Sequence, residues 1–288
     1  MFDASQPARP SVLHIVATPI GNLRDLSQRA LDVLRTADII AAEDTRTTQG
    51  LLNAYQIQAG KLTPLHDHNE QAAAERLLEA LRDGKSVAYV SDAGTPGISD
   101  PGARLVATVR ASGIEITPIP GPSAVATALS VAGIDGHWLF FGFLPAKPAA
   151  RRKVLQTLLA RPEALVFYEA PHRIEETVAD LLTVFGGERS ILFARELTKK
   201  FEQLHACPLA EAPAWLAADD NHRRGEFVLV IGAATAVADD SMVEAQRVLE
   251  ILLEDLPLKQ AASLAARITG ARKNALYELA LTLRAVHE

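Results

Sequence analysis

Residues 86–102 read SVAYVSDAGTPGISDPG. The first part, SVAYVSD (86–92), is a short apolar run with Gly84 just before it. A run of this length and type is a strand buried on both faces of a parallel sheet. The rest is a loop rich in glycine and proline at that strand's carboxyl end, where open α/β sheets bind their ligands. Asp100-Pro101 reads as a helix opening, a capping carboxylate followed by proline at the first helical position. The same alternation continues on both sides. VLHIVAT (12–18), DIIAAE (38–43) and IEITPI (114–119) read as strands. Ser27 caps a helix running to Arg35, residues 69–83 form a helix between Asn69 and Gly84, and Pro122 opens another. Strands alternating with helices predict an α/β domain with a largely parallel sheet over residues 12–135.

A second series follows at 136–232. HWLFFGF (137–143), residues 163–169, RSILFAR (189–195) and EFVLVIG (226–232) read as strands. Helices are expected at 149–160, 172–184 and near 208–218, making a second, smaller α/β domain. Residues 1–11 are polar and proline-containing and read as a flexible tail. AATAVADDS (233–241) reads as a linker. Residues 242–288 are helical throughout, and 256–281 form two short helices around Thr269-Gly270, like a helix-turn-helix. A helical cap or a dimer element is the alternative for this segment.

The chain has 288 residues, 48% hydrophobic and 22% charged, which predicts about two domains and excludes disorder of the whole chain. One cysteine, Cys207, excludes a disulfide scaffold and reads as a small packing residue. The net charge of −6 argues against a simple electrostatic nucleic-acid binder. Neither a signal peptide nor a membrane-spanning run is visible, so a cytoplasmic protein with no membrane partner is expected. There is no G-x-G-x-x-G after the first strand. Gly84-Lys85-Ser86 lacks the upstream glycine of a P-loop and leads into a strand. His66-Asp67-His68 reads as a solvated loop, and no metal site is expected.

Three strand-exit loops concentrate glycine and proline: TPIGNLRD (18–25), residues 91–102, and PIPGPSA (118–124). Glycine at such places lets a ligand approach the backbone, although each loop alone also fits a tight βα turn. Asp92 is placed to accept hydrogen bonds from a ribose or an amino group, and Ser123 lies in the first turn of a helix. Later strand exits carry GFLPAK (142–147), FYEAPHR (167–173) and ARELTKK (194–200).

These motifs stand together in order. Thr18-Pro19-Ile20-Gly21-Asn22, Glu43-Asp44-Thr45-Arg46, the 91–102 loop, Pro120-Gly121-Pro122-Ser123-Ala124, Tyr168-Glu169-Ala170-Pro171-His172-Arg173 and Arg195-Glu196-Leu197-Thr198-Lys199 are the main ones. In them the chain resembles the tetrapyrrole-methylase superfamily, and within it the bacterial small-subunit ribosomal RNA ribose methyltransferase I group. The resemblance implies two α/β domains with a cofactor cleft between them, followed by a small C-terminal helical domain. It also implies S-adenosylmethionine as cofactor and a homodimer. The activity implied is 2′-O-methylation of a cytidine ribose in the decoding region of 16S RNA in the small ribosomal subunit. Carried over by position, the cofactor contacts fall on Pro19, Asp92, Ala93, Gly94, Ser123, Ala124, Tyr168, Glu226, Phe227 and Val228. The turn Ser-Asp-Ala-Gly, where tetrapyrrole enzymes have Gly-Asp-Pro, points away from a tetrapyrrole substrate. A tetrapyrrole C-methyltransferase and a non-catalytic ribosome-assembly factor are the competing readings.

A ribose hydroxyl must lose a proton to accept a methyl group, and a positioned base helps by about 10²–10⁴-fold. Glu43, Asp44, Glu169, His172 and Glu196 lie near expected strand ends. Glu169 and Glu196 are the candidate bases, because both leave strands toward the expected cleft. Lys199 is a candidate for lowering the hydroxyl pKa or clamping phosphate. Candidate RNA contacts are Arg46, Arg173, Arg195, Lys200, Arg272 and Lys273. The triplet Arg151-Arg152-Lys153 adds further positive charge. Solvated surface is the alternative for all of these.

Overall fold

In a computed structural model, residues 7–66, 69–234 and 240–287 are described. Residues 1–6 of the expected tail, Asp67 and His68, and 235–239 of the expected linker lie outside the described residues. The chain divides into two compact units, Met1–Leu159 with Glu163–Ala233, and Ala160–Pro162 with Ala234–Glu288.

The first unit opens with β1 (Val12–Val16), α1 (Gln28–Thr36), β2 (Ile39–Ala42), α2 (Thr45–Ala54), β3 (Leu62–Pro64) and α3 (Glu70–Arg82). Then come β4 (Val87–Val90), α4 (Ala103–Ala111), β5 (Glu115–Ile119) and α5 (Ala124–Ser130). The five strands form one sheet in the order β3-β2-β4-β1-β5, all parallel. β2 and β4 are buried at every residue, as the apolar runs IIAA and VAYV predict. Ser27 caps α1 as expected, its hydroxyl accepting the amide of Ala30 at 3.1 Å. Residues 8 and 9, expected in the tail, are tied to this sheet. Ala8 N donates to the Thr36 hydroxyl at 2.8 Å, and the Arg9 guanidinium bonds Glu115 and Thr117.

A second sheet follows from β6 (Trp138–Phe143), α6 (Pro148–Leu158), β7 (Ala164–Glu169), α7 (Ile174–Phe185), β8 (Ser190–Arg195), β9 (Gln203–Pro208), α8 (Ala212–Ala218) and β10 (Phe227–Ile231). Its order is β6-β7-β10-β8-β9. β6 and β7 are parallel, and the other pairs are antiparallel. β10 is buried throughout, and its alternation sorts the two faces of the sheet. Phe227, Leu229 and Ile231 join Leu165, Phe167, Val178 and Leu181 in one core, under α6 and α7. Val228 and Val230 join Val166, Ala194 and Leu197 in another, covered by Val125 and Ala128 of α5. A helix of the first half thus packs on the second sheet within one unit.

In the second unit α9 (Asp240–Asp255), α10 (Leu258–Thr269) and α11 (Lys273–His287) enclose a core of Ala245, Leu249, Ala261, Ala262, Ala265, Leu276 and Ala280. Gly270, at a left-handed φ of 74°, ends α10 as the sequence predicts. No helix among the described residues is long and apolar enough to cross a membrane.

Candidate active site

Three loops leave the carboxyl ends of the first sheet and are bonded to one another. Thr18 and Gly94 exchange backbone hydrogen bonds of 2.9 and 3.1 Å, and the Thr18 hydroxyl donates to Ser91 O at 3.1 Å. Gly94 holds a φ of +83°, and a Cβ there would stand 3.4 Å from the Ile20 side chain. The Thr95 hydroxyl donates to Pro122 O at 3.0 Å, joining the second loop to the third.

A cavity of about 480 Å³ lies between these loops and the second sheet. Its first wall holds Ile20, Ala93–Thr95, Ile98–Asp100, Ser123 and Ala124. Its second wall holds Phe143, Tyr168, Glu169–His172, Ala194, Leu197, Lys199 and Glu226–Val228. Ser123 sits at the N-cap of α5, yet its side chain makes no capping bond. The Tyr168 hydroxyl instead accepts the Val125 amide at 3.2 Å. The Tyr168 ring meets Phe140 and Phe143 edge-on at 4.9 and 5.6 Å. Burial pushes its phenol above the usual range.

Of the residues expected at a cofactor, Ala93, Gly94, Ser123, Ala124, Tyr168, Glu226, Phe227 and Val228 all line this cavity. Phe227 does so with its backbone, because its ring lies in the core beneath the opposite sheet face. Pro19 and Asp92 do not. They line a neighbouring depression of about 300 Å³ with Gly21, Thr47, Thr48 and Gly50. The Asp92 carboxylate is turned toward α2, where it accepts the amide of Asp44 at 3.0 Å.

The candidate bases separate. Glu169 ends β7 on the face opposite Tyr168, and its side chain is 0% exposed. It accepts from the Thr177 hydroxyl at 2.5 Å and the Ala170 amide at 2.8 Å, and pairs with Arg173 at 3.2 Å. Strand parity has turned this carboxylate into the helix layer, which corrects the expectation of a base there. Glu196 is committed to Lys199: its Oε1 accepts from Lys199 Nζ at 2.8 Å and from the Glu226 amide at 3.0 Å. Glu226 Oε2 holds the same ammonium at 2.9 Å. Burial works against charge on both Glu196 and Lys199, but their mutual bonding, together with the Glu226 amide on Glu196 and the Glu226 carboxylate on Lys199, outweighs it, lowering the Glu196 pKa and raising that of Lys199. Lys199 is therefore a fixed cation on the cavity wall and Glu196 its carboxylate partner. Glu196 and Thr198 hold left-handed φ angles of 51° and 65°, uncommon without glycine and concentrated at functional sites.

The RNA candidates also divide. Arg46 is 90% exposed, and its guanidinium holds the Asp44 carboxyl at a pKa of about 2. Lys200 is exposed beside Phe201, and Arg272 and Lys273 are exposed where α11 begins in the second unit. Arg173 and Arg195 are corrections, because their guanidinium groups serve the fold. Arg173 donates to Leu144 O at 2.6 Å and pairs with Glu169, while Arg195 donates to Arg224 O at 3.0 Å and to Gln203.

Thr95, Ile98, Ser99, Asp100 and Phe143 also line the cavity, although their sequence pattern marks none of them as a ligand contact. The sequence pattern makes Asp100 the helix cap, but Gly102 takes that position, at a φ of 119°. The amides of Gly102 and Arg104 both bond the buried Glu70 carboxylate at 2.9 Å. The glycine pattern of the 91–102 loop signals Thr95, Ile98, Ser99 and Asp100, and the strand exit at 142–147 signals Phe143.

Comparison with known proteins agrees with this architecture. Residues 12–213 match the family described as Tetrapyrrole (Corrin/Porphyrin) Methylases, and residues 239–284 match the RsmI C-terminal HTH domain. The chain is 50% identical over 270 residues to Ribosomal RNA small subunit methyltransferase I of Escherichia coli O157:H7, covering 93% of this chain and 94% of that one. It is 52% identical over 269 residues to the protein of the same name from Xylella fastidiosa strain Temecula1, covering 93% and 98%. Among solved structures, the methyltransferase CobJ aligns with a TM-score of 0.57 at 20% identity, over 80% of this chain and 95% of that one. Uroporphyrin-III C-methyl transferase from Thermus thermophilus, complexed with S-adenyl homocysteine, aligns at 0.54 and 16%, over 78% and 99%. With two linked sheets, a walled cavity at the glycine-rich strand exits and these matches, the chain belongs to the tetrapyrrole methylase family.

Proposed function

We propose that this protein is an S-adenosylmethionine-dependent methyltransferase of small-subunit ribosomal RNA, and that it methylates the ribose 2′-hydroxyl of a cytidine in the decoding region of 16S RNA. The observation that carries the reading is the cavity. Its walls are the same loops that bear the family motifs, in a chain half identical to proteins named as small-subunit ribosomal RNA methyltransferases.

The cavity fits the cofactor by size and chemistry. Ligand sites span about 300–1,000 Å³ and are mostly apolar, with a few placed polar groups. Here Ile20, Phe143 and Val228 supply apolar wall, and the 93–95 backbone and the Ser123 hydroxyl supply polar contacts. Bound there, the cofactor supplies an electrophilic methyl group on a sulfonium sulfur. The protein must hold the ribose hydroxyl roughly 3–3.5 Å from that methyl and keep water out. Lys199, fixed between Glu196 and Glu226, is suited to anchor an RNA phosphate at the cavity wall. Arg46 and Lys200 in the first unit, and Arg272 and Lys273 in the second, are further exposed candidates for phosphate contacts, which position more than they specify. A cytoplasmic homodimer completes the reading. Edge strand β6 exposes Trp138 and Phe141, one on each face of its sheet, as apolar surface for it.

The test incubates the protein with radiolabelled S-adenosylmethionine and three acceptors: unmethylated small subunits, naked 16S RNA and a tetrapyrrole precursor. Alkali-resistant label in RNA is expected. Label in the tetrapyrrole instead overturns the substrate class, and RNA affinity without transfer supports an assembly factor. Lys199→Met should raise the KM for subunits and flatten the salt dependence of binding by about one phosphate contact.

A further inference from the structure

The ribose hydroxyl needs a proton acceptor. The titratable side chains that line the cavity are Asp100, Tyr168, Glu169, His172, Lys199 and Glu226. Lys199 already holds its protons between Glu196 and Glu226, and Glu226 is tied to it. Glu169 is turned into the helix layer. The Tyr168 phenol, pushed above its usual range by burial, accepts the Val125 amide. Asp100 belongs to the glycine-rich loop of the first wall, with the 93–95 backbone that is proposed to hold the cofactor. His172 remains. It lies on the second wall, it is exposed, and among the described residues it has no hydrogen-bond or ion-pair partner.

The turn that carries His172 is fixed. Pro171 restricts the backbone just before it, and the Arg173 amide closes the turn on Ala170 O at 3.0 Å. The Arg173 guanidinium donates to Leu144 O at 2.6 Å and to Pro145 O at 3.3 Å, both at the exit of β6. α7 then begins with the Thr177 amide on Arg173 O at 2.9 Å. Arg173 therefore anchors the backbone, and the adjoining imidazole has no structural task. A general base requires such a fixed support and a free atom that the substrate can reach. Of the side chains, imidazole protonates nearest neutral pH, where a general base is most effective.

We propose that His172 is the proton acceptor for the ribose hydroxyl, an inference that rests on the function proposed above. As the oxygen–carbon bond to the methyl group forms, the carbon–sulfur bond breaks and its electron pair stays on sulfur. The hydroxyl proton passes to the unprotonated ring nitrogen of His172, and the imidazolium then gives it to water. One positive charge is lost at sulfur and one appears on the imidazole, so the net charge of the site is unchanged during transfer. The charged and titratable groups around His172 lie on three sides. Asp100, Tyr168, Lys199 and Glu226 share the cavity. Glu169 and Arg173 flank it on its own turn, and Glu175 and Glu176 follow in the first turn of α7.

The experiment compares wild type, His172→Ala and His172→Gln. It measures thermal unfolding, S-adenosylhomocysteine binding by calorimetry, affinity for unmethylated small subunits, and single-turnover methylation of those subunits from pH 5 to 9, with and without added imidazole. Both variants are expected to bind S-adenosylhomocysteine and subunits like wild type and to transfer about 10²–10⁴-fold more slowly. The acidic limb of the wild-type profile should vanish in both, and imidazole should restore part of the rate to His172→Ala. A residue that merely supports the turn would give neither result. Wild-type transfer by either variant overturns the proposal, and so does an acidic limb that both retain. Loss of S-adenosylhomocysteine binding overturns it by making His172 a cofactor ligand. Weaker subunit binding with unchanged single-turnover transfer overturns it by making His172 an RNA contact. If His172→Ala fails to fold, the rate and the acidic limb of His172→Gln decide by the same criteria. If wild type labels no RNA, the proposed function itself fails and takes this role with it.

Discussion

Replacing Arg151 with methionine should cost the first unit stability and leave RNA binding unchanged. The Arg151 side chain is 1% exposed. Its Nε donates to Asp180 Oδ2 at 2.6 Å and its Nη2 to Glu176 Oε2 at 3.3 Å. Asp180 is itself only 9% exposed. Removing one partner from a buried pair costs about 3–5 kcal/mol, because a charge is left buried without compensation. Arg152 keeps a 3.0 Å bond to the other Asp180 oxygen, which favours the lower end, about 3 kcal/mol. In a unit of this size that is a fall in Tm of roughly 6–12 °C. The double variant Arg151→Met, Asp180→Asn should recover part of the loss, since neither charge is then stranded. Calorimetry of wild type and the two variants reads the stability, and RNA affinity across a salt series reads the surface. An unchanged Tm with a salt slope reduced by about one would mean that Arg151 contacts phosphate, and the burial argument would be wrong.

Two further outcomes follow from the same reasoning. Glu169→Gln should lower stability by about 1–3 kcal/mol, through its bonds to Thr177, Ala170 and Arg173, and leave single-turnover methylation near wild type. A rate loss of a hundredfold with unchanged stability would restore Glu169 as the base. His14 is buried, accepts the Arg9 amide on Nε2 at 3.1 Å, and has no hydrogen-bond partner for Nδ1 among the described residues. Burial, then the charge of Arg9, lowers its pKa below 6.5, with Arg29 adding to this and Glu115 opposing it. The unfolded chain therefore takes up a proton first as pH falls. Stability from this group is present above about pH 6.5 and declines as pH drops toward the folded pKa. Denaturant unfolding between pH 7.5 and 5.5 should show that decline in wild type, and a flatter curve in His14→Gln. Parallel curves would show that His14 does not carry it.

What the sequence determined by itself was the layout of strands and loops. Strands such as VAYV and FVLVI are buried on both faces, so burial alone marks them, and glycine and proline mark where they stop. The glycine-rich exits could be placed at one sheet edge because parallel strands all end on the same side. Elements with weaker local signals escaped. α2 opens with TRTTQG, whose three threonines and glycine are poor helix formers, held by the Asp44 cap, and β9 is a partly exposed edge strand that ends in Pro208.

The tertiary structure decided which charges are chemistry and which are scaffold. Arg151, Arg173, Arg195 and Glu169 carry the residue types of an RNA-binding or catalytic surface, yet each is bonded into the interior. Residue type reports what a side chain is able to do, whereas strand parity and helix rotation decide which way it points. Asp100 is the converse. Local reading assigns it to a helix end, and only the packing of α3 brings Glu70, 30 residues earlier in the chain, to take over that cap and leave the carboxylate facing the cavity. A partner so distant in sequence leaves no local pattern, so its effect is visible only once the fold has brought the two together.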